Sequence, residues 1–100
     1  MENTIRRYNL KVTKRQEVEI PRFAEILTVQ LINDMPCLFA MVEPQNEPEK
    51  RTIDMFLTGE YILTSDEERR RYISTVQFEH GEIYHYFEYC IGSLNLLRGL

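Results

Sequence analysis

Cysteine is scarce and unpatterned in this chain: the only two, Cys37 and Cys90, lack any Cys-x-x-Cys spacing. That excludes a disulfide-built scaffold and a cysteine zinc site, and leaves two buried thiols as the expectation. Glycine is sparse as well, and Gly59, Gly81, Gly92 and Gly99 lie too far apart to form a phosphate-cradling loop. No serine sits in a nucleophile-elbow pattern. No apolar run approaches the roughly 20 residues that a membrane span needs. The N-terminus carries charge from Glu2 onward in place of the apolar segment of a secretory signal. A cytoplasmic protein without membrane association is therefore expected. Positive charge is also in deficit, since 12 basic against 16 acidic residues leave a net charge of −4, which argues against broad nucleic-acid binding. The deficit is uneven: residues 1–15 carry +4, with Arg6, Arg7, Lys11, Lys14 and Arg15 against Glu2, and the remainder carries −8.

What the chain does contain is alternation. Ser74 to Glu79 and Glu82 to Phe87 switch between apolar and polar residues around His80-Gly81, which predicts a β-hairpin with a two-residue turn. Such a turn pairs Phe78 with Ile83, Gln77 with Tyr84 and Val76 with His85, placing the phenylalanines and His85 on the core face and Tyr84 and Tyr86 on the outer face. Further strands are expected at 4–10, 16–20, 24–32, 37–42 and 52–57, with Pro21 ending the second ladder. The 37–42 strand is apolar on both sides, with Cys37, Phe39 and Met41 opposite Leu38, Ala40 and Val42. A strand without a polar side is covered on both, here by another sheet layer, a helix or a partner subunit. Residues 43–51, with two prolines, an asparagine and several charges, read as a surface loop. Ser65 and Glu68 have capping-box spacing, with acidic residues before basic ones, so a short helix is expected near 65–71. Ser93 is placed to cap a second short helix in the 92–100 tail. The whole predicts one all-β, mainly antiparallel domain over 1–100: a small sandwich or partly open barrel of six to seven strands. Its edges are guarded by Glu17, Glu19 and Pro21.

Each candidate functional residue has an ordinary structural alternative. His85, on the predicted core face, reads as a packed structural histidine, and an enzymatic reading would require it in a wet cleft beside a carboxylate. Arg69-Arg70-Arg71 reads as a solvated surface. No catalytic residue, metal site or cofactor is expected. Tyr84 and Tyr86, opposite Gln77 and Thr75, are the amphipathic side chains that protein interfaces favour, and these four residues are the expected contact surface for a protein partner. The two-sided apolarity of 37–42 and the leucines of the tail point to a homo-oligomer. An alternative places a nucleotide or signalling ligand in a pocket between protomers, with Arg6, Arg7 and Arg51 holding its phosphate, because guanidinium forks match phosphate geometry.

Ile5-Arg6-Arg7-Tyr8, the runs from Gln16 to Pro21, Ala24 to Gln30 and Pro36 to Val42, then Arg51, Thr58-Gly59, Tyr72 to Gln77 and His85 to Glu88, occur in an order that resembles a family of small uncharacterised proteins of tailed phages and bacterial genomes. The resemblance spans about residues 4–88. Phe39 stands where that pattern has tryptophan, Leu57 where it has the first glycine of a Gly-Thr-Gly, and Phe23 where glycine before Ala24 is common. The family is a domain of unknown function, so the resemblance implies a phage or prophage setting and no reaction. With the small size, the acidic balance and the tyrosines, it leads to the expectation of a non-catalytic binding protein that engages, and inhibits, a host protein or defence component.

Overall fold

The structure, a computed structural model, describes residues 2–91. It contains seven strands: β1 (Thr4–Asn9), β2 (Arg15–Pro21), β3 (Glu25–Ile32), β4 (Met35–Val42), β5 (Pro48–Leu57), β6 (Glu68–Gln77) and β7 (Ile83–Ile91). All pairings are antiparallel, in a three-stranded sheet of order β1-β4-β3 and a four-stranded sheet of order β2-β5-β7-β6. Among the described residues there is no helix. The helix expected from Ser93 and the tail lie outside the described residues.

The core forms where the inner faces meet. Leu38, Ala40 and Val42 of β4 and Val29 of β3 pack with Ile20, Ile53, Met55, Val76 and Tyr86 from the other sheet. Leu38 and Ala40 are fully buried, as the alternation of β4 predicts; on its other face Cys37 is buried and Phe39 and Met41 are half-buried. Asn33 and Asp34, both at positive φ (52° and 61°), make the two-residue turn between β3 and β4, so β4 starts at Met35, ahead of the expected 37. The predicted 43–51 loop shrinks to 43–47, because β5 pairs with β2 from Pro48 onward and takes Lys50 and Arg51 into the ladder.

The 65–71 helix is corrected to a single turn leading into β6. Half of the capping box forms: Glu68 Oε2 accepts the Ser65 N–H at 3.0 Å, while the Glu68 N–H donates to the Ser65 carbonyl at 3.2 Å. A helix of one or two turns is marginal alone, and Arg69, Arg70 and Arg71 instead enter a ladder opposite Cys90, Tyr89 and Glu88.

The β6–β7 hairpin exists, but its loop has three residues, 79–81. The Phe78 N–H donates to the Glu82 carbonyl at 2.8 Å, the Gly81 N–H donates to the Phe78 carbonyl at 2.8 Å, and Gly81 takes a φ of +101°. This is a turn followed by a left-handed residue, a common three-residue connection in which glycine carries no Cβ penalty. The longer loop pairs Val76 with Tyr84, Thr75 with His85 and Gln77 with Ile83. One residue of register inverts every side chain, so the expected facing is corrected. Tyr86 is fully buried and Tyr84 half-buried on the inner face, while His85 and Phe87 lie on the outer one.

On one flank the two sheets are stitched together. A bulge at Ile73 brings Ser74 to the edge of β6, where its Oγ accepts the Val29 N–H of β3 at 2.8 Å and bonds Thr28 Oγ1 at 2.9 Å. On the opposite flank β1 and β2 are joined by an arch over residues 10–14, pinned by Gln16, whose side-chain amide bonds both the N–H and the carbonyl of Lys11. Among the described residues neither β1 nor β2 pairs with a second strand, so the described sandwich is stitched at β3/β6 and open at β1/β2.

Candidate binding face

Directly opposed residues in an antiparallel ladder share a face, so the outer face of the four-stranded sheet follows from its register. Arg15 of β2 lies opposite Asp54 of β5, Asp54 and Phe56 lie opposite Phe87 and His85 of β7, and these lie opposite Tyr72 and Thr75 of β6. The Ile73 bulge switches the outward parity of β6 from even to odd numbers, which is why Tyr72 and Thr75, three residues apart, both point outward.

At one end of this face Asp54 is only 2% exposed, because two guanidiniums cover it. Arg15 bonds it with both prongs, Nε to Oδ1 at 2.6 Å and Nη2 to Oδ2 at 2.8 Å, and Arg70 reaches it across β7 at 3.1 Å. The Arg15 guanidinium lies 4.0 Å from the centre of the Tyr89 ring, and Arg70 lies 5.3 Å from Phe56 and 5.4 Å from Tyr89. The hydrogen bond to Asp54 raises the pKa of Arg15 above its ordinary value against the opposing effect of burial. In the middle, Phe87 meets Phe56 and Tyr72 edge-to-face at 6.0 and 5.6 Å.

Hydroxyls fix the histidine at the other end. Thr58 Oγ1 donates to the Ile83 carbonyl at 3.2 Å and so accepts from His85 Nε2 at 2.7 Å. On the other side of the ring Nδ1 bonds Thr75 Oγ1 at 2.9 Å, which in turn bonds the Tyr72 hydroxyl at 2.7 Å. This chain of hydrogen bonds from Tyr72 to Ile83 holds the ring in one orientation. Both ring nitrogens are thus engaged by hydroxyls.

The residues expected to bind a partner are thus divided. Thr75 and Gln77 lie exposed on this face. Tyr86 is inside, with its hydroxyl on Met55 Sδ at 3.0 Å, and Tyr84 borders an open groove of about 700 Å³ lined by Val12, Lys14, Leu57 and Glu60. The three arginines proposed for phosphate are not assembled within one chain. Arg6 and Arg7 pair with Ala40 and Phe39 and so point to opposite faces of β1. Arg51 is buried in a two-pronged pair with Glu88, Nη2 to Oε1 at 2.9 Å and Nε to Oε2, and its Nη1 donates to the Ala24 carbonyl at 3.0 Å. That arginine ties the 22–24 turn to β5 and β7 and offers nothing to a ligand. Sequence reading missed Arg15, Asp54, Arg70, Tyr72, Phe87 and Tyr89. The signal that finds Phe87 and Tyr89 is glycine at the third position of the 79–81 loop, which sets the register and with it the outward set on β7; Arg15, Asp54, Arg70 and Tyr72 join them only through the pairing of the other strands.

Among the described residues, no group of three or more His, Cys, Asp or Glu is placed to hold a metal ion. Residues 1–91 match the family model described as Domain of unknown function (DUF7352), and the chain belongs to that family. No match was found among curated proteins or among solved structures.

Proposed function

We propose that this chain is a non-catalytic binding module whose contact surface is the outer face of the β2-β5-β7-β6 sheet and whose partner is a protein. The observation that carries the reading is the row Tyr72, Phe87 and Phe56, packed edge-to-face and flanked by arginines stacked on aromatic rings. Aromatic and arginine side chains dominate the energetics of protein interfaces, and side chains already held in place lose little freedom on binding. Tyr72 is 57% exposed, so its ring is available to a partner. A protein fits this face better than a nucleic acid does, since Asp54 already engages both guanidiniums and the chain carries a net −4. The resemblance to tailed-phage proteins supports the finer reading, in which the setting is the host cytoplasm and the partner is a host protein or defence component that binding inhibits.

The test is affinity capture from bacterial lysate with the wild-type chain and with a Tyr72→Ala/Ile83→Arg variant, both checked for folding by circular dichroism. The expected result is a protein retained by wild type and lost with the variant. Equal retention by both, or capture of nucleic acid in place of protein, overturns the reading.

A further inference from the structure

We infer that the open flank of the sandwich is an interface with a second copy of this chain, in which β1 of each copy pairs antiparallel with β2 of the other. The inference concerns strand edges and leaves the outer face described above unoccupied, so the two readings stand or fall separately.

The topology supplies the first argument. β1 ends the three-stranded sheet and β2 ends the four-stranded one, on the same flank, joined by the 10–14 arch. Among the described residues no strand lies beside either edge, which is six residues long on β1 and seven on β2. Such edges recruit other strands unless something opposes it. Because the arch reverses the chain, β1 and β2 run in opposite senses in the two layers. A two-fold axis parallel to the strands exchanges the layers of one copy with those of the other and preserves strand direction. It therefore sets β1 of one copy beside β2 of the other, antiparallel, twice, and continues both sheets across the interface. The contact is closed and self-complementary, as two-fold dimers require.

Charge selects this pairing over the alternatives. The β1 edge carries Arg6 and Arg7, both exposed and without an ion-pair partner among the described residues. The β2 edge carries exposed Glu17 and Glu19; Glu17 has only a 4.0 Å contact to Lys50, and Glu19 has no ion pair among the described residues. Pairing β1 with β1 sets arginines against arginines, and pairing β2 with β2 around its centre sets glutamates against glutamates. Only the crossed arrangement places Arg7 of one copy on the same outward face as Glu17 and Glu19 of the partner subunit.

The experiment is light scattering coupled to size exclusion on the full chain. Wild type is expected at about twice 12.0 kDa. On the shared outward face Arg7→Glu sets glutamate against Glu17 and Glu19, and Glu17→Arg/Glu19→Arg sets arginines against Arg7, so each variant alone is expected at the monomer mass with an unchanged β-sheet circular dichroism spectrum. Mixed in equal amounts, the two variants restore opposite charge at both ladders and are expected to recover the doubled mass as a one-to-one pair. A wild type that stays at 12.0 kDa at high concentration overturns the inference. So does a dimer indifferent to both charge reversals, or one dispersed by Phe39→Lys instead, which would place the contact on the outer face of the three-stranded sheet.

Discussion

At the scale of the residue, the interior ion pair is where the fold has most to lose. Arg51 and Glu88 are both nearly buried, at 7% and 3% exposure, and hold each other with two hydrogen bonds. Burial alone would lower the guanidinium pKa, but the hydrogen bond and charge of Glu88, helped by Glu49, raise it above its ordinary value. Breaking a buried pair leaves an unpaired charge in the interior, a loss of about 3–5 kcal/mol, whereas replacing both partners with apolar residues removes the penalty along with the bond. In urea denaturation, Arg51→Ala is expected to lose stability on that scale, and Arg51→Met/Glu88→Met less than either single change. A second residue-scale expectation concerns Tyr86, whose phenol is pushed up to about 12, first by burial and then by the charge of Tyr84. A group with a raised folded pKa keeps its contribution below its unfolded value, here 10.0, and loses it as pH rises through the folded one. The urea midpoint should therefore fall between pH 10 and 12 more steeply in wild type than in Tyr86→Phe. Equal slopes would show that the phenol is solvated. Phe23 adds an oddity at this scale: 82% exposed with φ at 67°, it holds a left-handed conformation suited to the glycine that the family resemblance places there.

At the scale of the element, a hydroxyl at an irregularity does the joining. The bulge at Ile73 ends one outward set on β6, begins another, and presents Ser74 Oγ to the Val29 N–H. Ser74→Ala leaves that buried N–H without its acceptor, which costs about 1–3 kcal/mol. The expected result is a lower urea midpoint, with amide exchange at Val29 accelerated ahead of the rest of β3. Uniform acceleration would assign the stitch no special role. The same strand shows where sequence reading stops. Alternation in 74–77 and 83–87 was sufficient to locate two strands and the chain reversal. It left the loop length open, because His80-Gly81 and Glu79-His80-Gly81 both end in a glycine able to turn left-handed. The two-residue reading turns the phenols outward, whereas in the fold Tyr86 joins Val76 in the core and Tyr84 packs against them. The 65–71 segment was misread for a related reason, since the local hydrogen bond between Ser65 and Glu68 is real and the partner strand that captures Arg69 to Arg71 lies 17–21 residues further along.

At the scale of the whole molecule, stability is distributed by position in the sheets. β4, β5 and β7 are paired on both sides, while β1, β2, β3 and β6 are sheet ends, two of them joined to each other through Ser74. Amide exchange is therefore expected to be slowest in β4, β5 and β7, intermediate in β3 and β6, and fastest in β1 and β2 at low protein concentration. If the crossed dimer forms, protection in β1 and β2 rises with concentration while the central strands stay unchanged, because only those two edges gain a ladder. A concentration-independent pattern would argue that β1 and β2 remain edges.

The amino-acid order determined the class of this fold on its own: period-two alternation, turn residues and an apolar β4 place an all-β, antiparallel domain of six to seven strands within reach of reading, because those signals are local, while the choice between sandwich and barrel stays open. Which side of β7 faces inward, and therefore which tyrosines meet water, emerged only when the sheets packed, since one loop residue inverts that strand and only the shared core selects between the two registers. The pairing of Arg51 with Glu88, and of Asp54 with Arg15 and Arg70, was likewise settled in three dimensions, where charges 16 to 39 residues apart meet across strands that no local pattern connects.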